Sequence, residues 1–514
     1  MTRTVSGPTD HVVVVGAGLS GLAAALHLRG SGRDVTLIEK NDTVGGRVGS
    51  VEAPGYRIDT GASVLTMPSL IAEALAAVGE TFESTTPKIE LVHLNPAYHT
   101  RFADGTSIDV HSDPKRMIDE VTAKCGPEEA ARYRRLRQWL SDVFDSEFDR
   151  FIDANFDSPL DLILGKGALK DTLRLVALGG FGKLGARIDK LVTDPRLRRI
   201  FTFQALYAGV APRKALAVYG AIAHMDTSMG VSFPIGGMRI IAESMADAFV
   251  GAGGTLLLGT GARSIEYAGG RARAVVTEDG VRHACDALVL TPDLLVTDRL
   301  LRDAGIEVKR KTRVSPSCVV VHGTVPTSIS SAWESQSHHT IDFGENWEQT
   351  FTELTATRGR GRLMSDPSLL ITRVSQSDSS LRVTRDGVTA EPISILAPCP
   401  NLESAPLDWD ALTDPYVQDV LETLDRRGYG GLRESLTIDH IDTPKTWLKQ
   451  GMIAGSPFSA SHIFRQTGPF RRSNVVREAQ NIVLAGSGTT PGVGVPTVLV
   501  SGKLAAARID AQIR

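Results

Sequence analysis

The chain is predicted to be an α/β protein: a Rossmann-type parallel sheet, discontinuous in sequence, joined to a mixed α+β body with a largely helical part. Three observations predict it. A β-branched run near the N-terminus passes at once into a glycine-rich turn and an Ala/Leu-rich helix. A strand, a Gly/Pro turn and a helix close the chain. And 514 residues exceed what one compact core holds, so a second domain or a large insertion is needed.

Residues 11–15, His-Val-Val-Val-Val, show no polar alternation, as expected of a strand buried on both faces of a parallel sheet. Gly16-Ala17-Gly18-Leu19-Ser20-Gly21 follows, then a helix from Leu22 to Arg29 and a second buried strand, Val35 to Glu39. This is a βαβ dinucleotide-binding unit. Gly16 permits the tight turn, Gly18 lets backbone approach a pyrophosphate, and Gly21 lets the helix pack close to the sheet. The helix N-terminus offers free N–H donors to phosphate. Glu39 ends the second strand, where a carboxylate accepts from a ribose diol and repels a 2′-phosphate. Gly45-Gly46-Arg47 forms a second glycine-rich loop, with a charged donor for the pyrophosphate, and such a loop points to FAD rather than NAD.

Residues 112–230 read largely as helices. Phe233-Pro234-Ile235-Gly236-Gly237 precedes a helix from Met238 to about Val250, and strand-like runs follow at 256–258, 272–277 and 287–290. Residues 311–400 read as short strands and loops. The last unit is a strand, 481–485, a Gly/Pro loop and a helix from about Pro496, on which Val498, Gly502, Ala505 and Ile509 share a face. The uncharged stretch Ala479–Gly502 is long enough to span a bilayer, but its glycines and prolines argue against a transmembrane helix. The expected division is 1–85, 232–298 and 478–514 for the nucleotide domain, with 86–231 and 299–477 for the substrate- and membrane-facing domain.

Composition removes several function classes. Lys and Arg number 56 against 59 Asp and Glu, a net charge of −3, which does not suit a nucleic-acid binder. Cys125, Cys285, Cys318 and Cys399 are widely spaced, so neither a disulfide scaffold nor a metal site is expected. The polar opening Met1–Asp10 lacks a signal-peptide pattern, and the expected location is cytoplasmic. No Ser/His/Asp, Cys/His or HExxH pattern occurs, and His338-His339 reads as a solvated pair in a polar loop. Residues 165–190 carry Lys166, Lys170, Arg174, Lys183, Arg187 and Lys190 against Asp171 and Asp189. Leu169, Leu173 and Val176 share one helix face, and Phe181, Leu184, Ile188 and Leu191 another. A basic amphipathic pair of this kind suits a headgroup layer, so peripheral contact with the cytoplasmic membrane is expected.

These motifs carry a resemblance. VVVVGAGLSGLAAALHL, VTLIEKNDTVGGRVGS, YRIDTGASVLTMPSL, DPRLRRIFTFQALYAGVAP, MGVSFPIGGM and NIVLAGSGTTPGVGVPTVLVSGKLAAARI, in order, resemble the bacterial-type phytoene desaturases, within the FAD-dependent amine-oxidase-like superfamily. The chain departs at Gly61-Ala62-Ser63 and at Pro496-Thr497, which bears on substrate range or number of steps. The resemblance implies FAD as cofactor and removal of a hydride and a proton from phytoene or a carotenoid intermediate toward lycopene, with oxygen or a quinone as final electron acceptor. It implies cofactor contacts from Gly16, Gly18, Ser20, Gly21, Glu39, Lys40, Gly45, Gly46, Arg47, Thr60, Gly61, Ala62, Ala262 and Gly486, and from the loop Gly492, Val493, Gly494, Val495 and Pro496. The N-terminus of the closing helix is expected to favour the anionic reduced flavin. Arg213 and Asp226 lie in family-like segments and are the candidates to assist proton loss. Phe201, Phe203, Leu206 and Tyr207 are the expected tunnel wall. Other readings within this fold are a carotenoid ketolase, a carotene isomerase, an amine oxidase or an isoprenoid escort protein.

Overall fold

The computed structural model describes residues 3–158, 160–161, 168–308 and 311–513. One five-stranded parallel sheet is assembled from three separated stretches of chain. Its order is Ile482–Leu484, Ala287–Leu290, His11–Val15, Asp34–Ile38 and Thr255–Leu257. Val12, Val13 and Val14 are fully buried, because both faces of the sheet are covered. Val12 and Val14 face a helical layer that includes Leu19–Gly30, Arg239–Gly251 and Val495–Ile509. Val13 and Val15 face Ile265 and Val275 of an antiparallel meander, Ala262–Ala268, Arg271–Thr277 and Arg282–Ala284.

Two glycines set the spacing of this layer. A Cβ on Gly21 would stand 1.9 Å from the carbonyl oxygen of Gly16, and one on Gly502 would stand 2.3 Å from that of Ser20. The first and the closing helix therefore touch backbone to backbone, and both N-termini open on the same edge of the sheet.

The second body departs from the sequence reading. Residues 311–400 contribute long strands, not only short ones: Ser317–Pro326 pairs antiparallel with Val388–Cys399 along its whole length, within an eight-stranded mixed sheet. Pro392 and Pro398 interrupt the apolar run that would have announced the second strand. Both fall where that strand has a neighbour on one side only, beyond its pairings with Leu369–Thr372 and Val383–Arg385, so a missing N–H is tolerated there. Tyr98–Phe102 extends the sheet by pairing parallel with His339–Phe343.

The helical reading of 112–230 matches the structure, with Pro114–Cys125, Pro127–Glu147, Ala168–Ala177 and Leu184–Leu191 as its main helices. Two wide π-helical turns, Phe148–Ile152 and Met225–Met229, sit at helix ends. On Ala168–Ala177 the predicted apolar face does point outward: Leu169, Leu173 and Val176 are all more than half exposed. The second apolar face is a correction in part: Phe181 is exposed, but the rest turns inward. Leu184 and Ile188 are buried in the domain's own core, and Arg187 lies over the ring of Trp139. Lys166 lies outside the described residues. Among the described residues, no helix is long and apolar enough to cross a membrane.

Candidate active site

One cavity of about 1560 Å³ runs through both bodies, and its two parts differ in chemistry. The first part is a cradle of backbone. Gly16 turns the chain out of its strand at φ +100°, and a Cβ there would meet the Thr291 hydroxyl at 2.4 Å. Gly18 opens the first helix with no side-chain cap, which leaves the N–H groups of the first turn free for an anion. The second glycine loop is drawn against the first by the N–H of Gly45, which donates to Ala17 O at 2.9 Å. Gly46 follows at φ +57°.

Glu39 is buried at the end of its strand. Its Oε2 accepts from the N–H of Ala17 at 2.8 Å and its Oε1 from that of Asn41 at 2.9 Å. Each oxygen keeps a lone pair, so a ribose diol can still be accepted. Ala262 lines the cavity on this side, next to Thr260, whose N–H donates to Glu39 O at 2.7 Å. Arg47 reaches into the cavity, bound to Asp293 at 2.5 Å and to the Ser487 hydroxyl. Asp293 is itself fixed by the N–H of Ile453, at 2.8 Å. Lys40 donates to Gln450 O at 2.8 Å across the cavity mouth.

The structure brings nearly all the expected cradle residues to this wall. Gly16, Gly18, Ser20, Glu39, Lys40, Gly45, Gly46, Arg47, Thr60, Gly61, Ala62, Ala262, Gly486, Val493, Gly494, Val495 and Pro496 line it. Gly21 and Gly492 do not. Gly21 serves the helix contact with Gly16, and Gly492 backs onto the ring of His462. Arg213 is a further correction: it is exposed and paired with Glu348 on the surface, away from the cavity, and it is withdrawn as a proton-handling candidate. Phe201 packs on Tyr133 inside the helical core instead of lining the wall. His338 and His339 are buried, not solvated. His338 bridges Ser63 O and Ser377 Oγ, at 3.0 and 2.9 Å, and burial holds its pKa down at about 4.

The second part of the cavity is an apolar annex. Phe203, Leu206 and Tyr207 form one side as expected, opposite Leu370, Val374 and Leu396 of the mixed sheet. Two carboxyls face it. Asp226, on the turn Met225–Met229, is raised to about 7 by burial beside Tyr98 and Tyr207. Glu147, at the end of Pro127–Glu147, is raised to about 8 by burial alone, and its Oε2 is buried without a partner. Sequence reasoning missed Glu147, and it also missed His462 and Tyr219, which stand where the annex meets the closing loop. No spacing pattern announces them, because they come from three separate segments. Asp59 also lines the cavity: its Oδ2 accepts from the N–H of Met238 at 2.6 Å, and its Oδ1 is buried without a partner.

The residues present fit FAD: a ribose acceptor, free helical N–H groups, an anchored arginine, and glycines where a side chain would fill the crevice. A dinucleotide-dependent oxidoreductase is the class this fold and crevice define. The chain belongs to the flavin-containing amine oxidoreductase family, whose model matches residues 19–510, and its cofactor is FAD. It is 52% identical over 510 residues to a phytoene dehydrogenase of Streptomyces griseus, covering 98% of this chain and 96% of that one. A lycopene-forming phytoene desaturase of Pantoea ananas is 29% identical, with 96% and 97% covered. Among solved structures, putrescine oxidase bound to putrescine shares the fold at TM-score 0.59 and 14% identity, covering 99% and 100%, and an oxidoreductase from Methanosarcina mazei does so at 0.58 and 15%, covering 96% and 98%.

Proposed function

We propose that this chain is an FAD-dependent phytoene desaturase, which introduces conjugated double bonds into phytoene toward lycopene. The observation that carries it is the continuity of the glycine cradle with a deep apolar annex, and the 52% identity to a phytoene dehydrogenase supports it. A hydrocarbon offers no polar handle, so recognition falls to shape and to exclusion of water. Tyr98, Phe203 and Tyr207 hold the polyene by packing, with Tyr98 and Tyr207 each edge-on to Phe203, at 5.9 and 5.1 Å.

When bound, FAD supplies the hydride acceptor, with oxygen or a quinone as the final oxidant. The N-terminus of Val495–Ile509 favours negative charge beside it. Asp226 assists: its carboxyl, poised near neutrality, faces the annex and favours positive charge building on the polyene. The exposed face of Leu169, Leu173 and Val176, with Lys170 and Arg174 beside it, rests on the headgroup layer of the cytoplasmic membrane, from which the substrate enters. The test is anaerobic mixing of the flavin-loaded protein with phytoene liposomes. Bleaching of the flavin's visible band together with red-shifted polyene products is expected; oxygenated products, or unchanged phytoene, overturn the reading.

A further inference from the structure

We propose that the annex carries a subsite for oxygen: a band of hydroxyl and imidazole groups that takes a polyene bearing a hydroxyl or carbonyl group, besides the bare hydrocarbon. The proposal rests on the desaturase reading above. Strand register sets the band. His322 stands opposite Ser394, Ser394 opposite Thr372, and Thr372 opposite His339, so one row crosses four neighbouring strands. All four residues line the cavity. Two residues along the same strands, on the same face, the row Val320, Leu396 and Leu370 is apolar. Pro392, on the other side of the band, is apolar too.

The band has donors to spare. His322 Nδ1 lies 2.7 Å from Ser394 Oγ, and His339 Nδ1 lies 3.0 Å from Thr372 Oγ1. Burial keeps both imidazoles neutral, so each ring carries one N–H. Each pair therefore owns two hydrogens, one on the ring and one on the hydroxyl, and the bond within the pair uses one. Neither hydroxyl has another partner among the described residues. In the first pair, His322 Nε2 is buried without a partner, and an orphaned N–H is a rarer defect than a bare lone pair. The ring hydrogen is thus on Nδ1, and the O–H of the half-buried Ser394 is left for the cavity. In the second pair the spare hydrogen is on His339 Nε2 or on Thr372 Oγ1, and either one belongs to a residue of the wall.

The facing wall continues the band. The Asp226 carboxyl and the Tyr207 hydroxyl line it and have no hydrogen-bond partner among the described residues. Tyr98 joins the two sides: its strand pairs with His339–Phe343, and Asp226 lies beside it. A hydrocarbon pairs with none of these groups and leaves the band to ordered water. An oxygen on the ligand has two lone pairs, one for the Ser394 hydroxyl and one for the His339–Thr372 pair. No lysine or arginine belongs to the band, so it suits a neutral oxygen and not a carboxylate. Val320 packs with Met452, next to Ile453, whose N–H holds Asp293 of the Arg47 pair. The band lies one step of about 7 Å farther from the cradle than Val320. The oxygen is therefore held away from the reacting carbons, and the subsite sets which carbons of a long polyene lie at the cradle.

The test compares phytoene with phytoene hydrated across one terminal double bond, a tertiary alcohol of the same length. Each is supplied in liposomes to the FAD-loaded protein, and anaerobic bleaching of the flavin gives kcat/KM. The wild type is expected to use the alcohol at least as well as phytoene; a tenfold or greater preference for phytoene overturns the proposal. Ser394→Ala combined with Thr372→Val removes both hydroxyls at nearly constant shape. The ratio of alcohol to phytoene should then fall about tenfold, with FAD content, read by the visible spectrum, unchanged. An unchanged ratio means that the band holds water only, and overturns the proposal. Should the double variant lose FAD, the single variants Ser394→Ala and Thr372→Val decide: a lowered ratio in either supports the proposal, and an unchanged ratio in both overturns it. Wild-type protein that neither polyene bleaches overturns the desaturase reading and this proposal with it, a result distinct from any change in the ratio.

Discussion

Gly61 and Arg47 meet backbone to backbone: a Cβ on Gly61 would stand 1.8 Å from the Arg47 carbonyl oxygen and 3.5 Å from the Val48 nitrogen. Both contacts are main chain, so no rotamer change relieves them. Gly61→Ala must push the segment around Thr60 away from the second glycine loop, and overpacking of this kind costs about 1–3 kcal/mol. FAD affinity is expected to fall at least about tenfold, measured by titration of the apoprotein. Gly251→Ala is the control: a Cβ there meets nothing within 4 Å, and the residue ends a helix, so stability should hold or rise slightly.

The two annex carboxyls make stability depend on pH. Glu147 is raised from 4.5 to about 8 and Asp226 from 3.8 to about 7, both by burial. Between the unfolded and folded values the native state binds more protons than the unfolded one, so stability is full below about pH 4 and falls as pH rises toward 8. At pH 7, Glu147 costs on the order of 3 kcal/mol. Glu147→Gln mimics the neutral acid and should raise the melting temperature at pH 7–8 while leaving it unchanged near pH 4. Equal effects at both pH values would mean that the carboxyl is not held neutral. Its titratable neighbour Tyr219 does not interfere, since burial holds it neutral across this range.

Much of the cradle is legible in the chain because it is local. Gly16, Gly18 and Glu39 belong to one βαβ unit, and short-range sterics dictate what each position needs. The annex is legible only where apolar residues cluster, as at Phe203, Leu206 and Tyr207. His462 and Tyr219 come together only through tertiary packing, so no periodicity marks either. His338 and His339 misled for the same reason: their flanks are polar, but strand pairing carries His339–Phe343 into the sheet and buries both. The second basic helix read correctly as amphipathic, yet periodicity does not say whether an apolar face meets lipid or the protein's own core.

For Ala168–Ala177 the structure shows an apolar face that the chain's own core does not cover. Leu169, Leu173 and Val176 are 53%, 58% and 57% exposed, while Leu175 on the opposite side is buried and anchors the helix. Burying one such leucine in an apolar layer is worth about 1.5–3 kcal/mol. Leu173→Glu should therefore lower the fraction of protein that floats with anionic liposomes about tenfold or more, and leave FAD content unchanged. Raised salt should weaken wild-type binding, because Lys170 adds attraction to anionic lipid. Undiminished flotation of Leu173→Glu would remove this face from the docking surface.

Arg47 tests the cradle's electrostatics. Its guanidinium is held by Asp293, and Asp293 by the backbone of Ile453, so the arginine is positioned before any cofactor arrives. Such preorganisation lets it meet a pyrophosphate without first losing side-chain freedom. Arg47→Met keeps the apolar stem and removes both the charge and the donors, and it leaves the carboxylate of Asp293 facing a phosphate. Charge-assisted bonds of this kind are worth about 1.5–3 kcal/mol. Affinity for FAD should fall roughly ten- to a hundredfold. Arg47→Met combined with Asp293→Asn should recover part of that loss, because the repelling carboxylate is gone. A double variant as weak as the single one would show that Asp293 serves only to position the arginine and does not itself repel the cofactor.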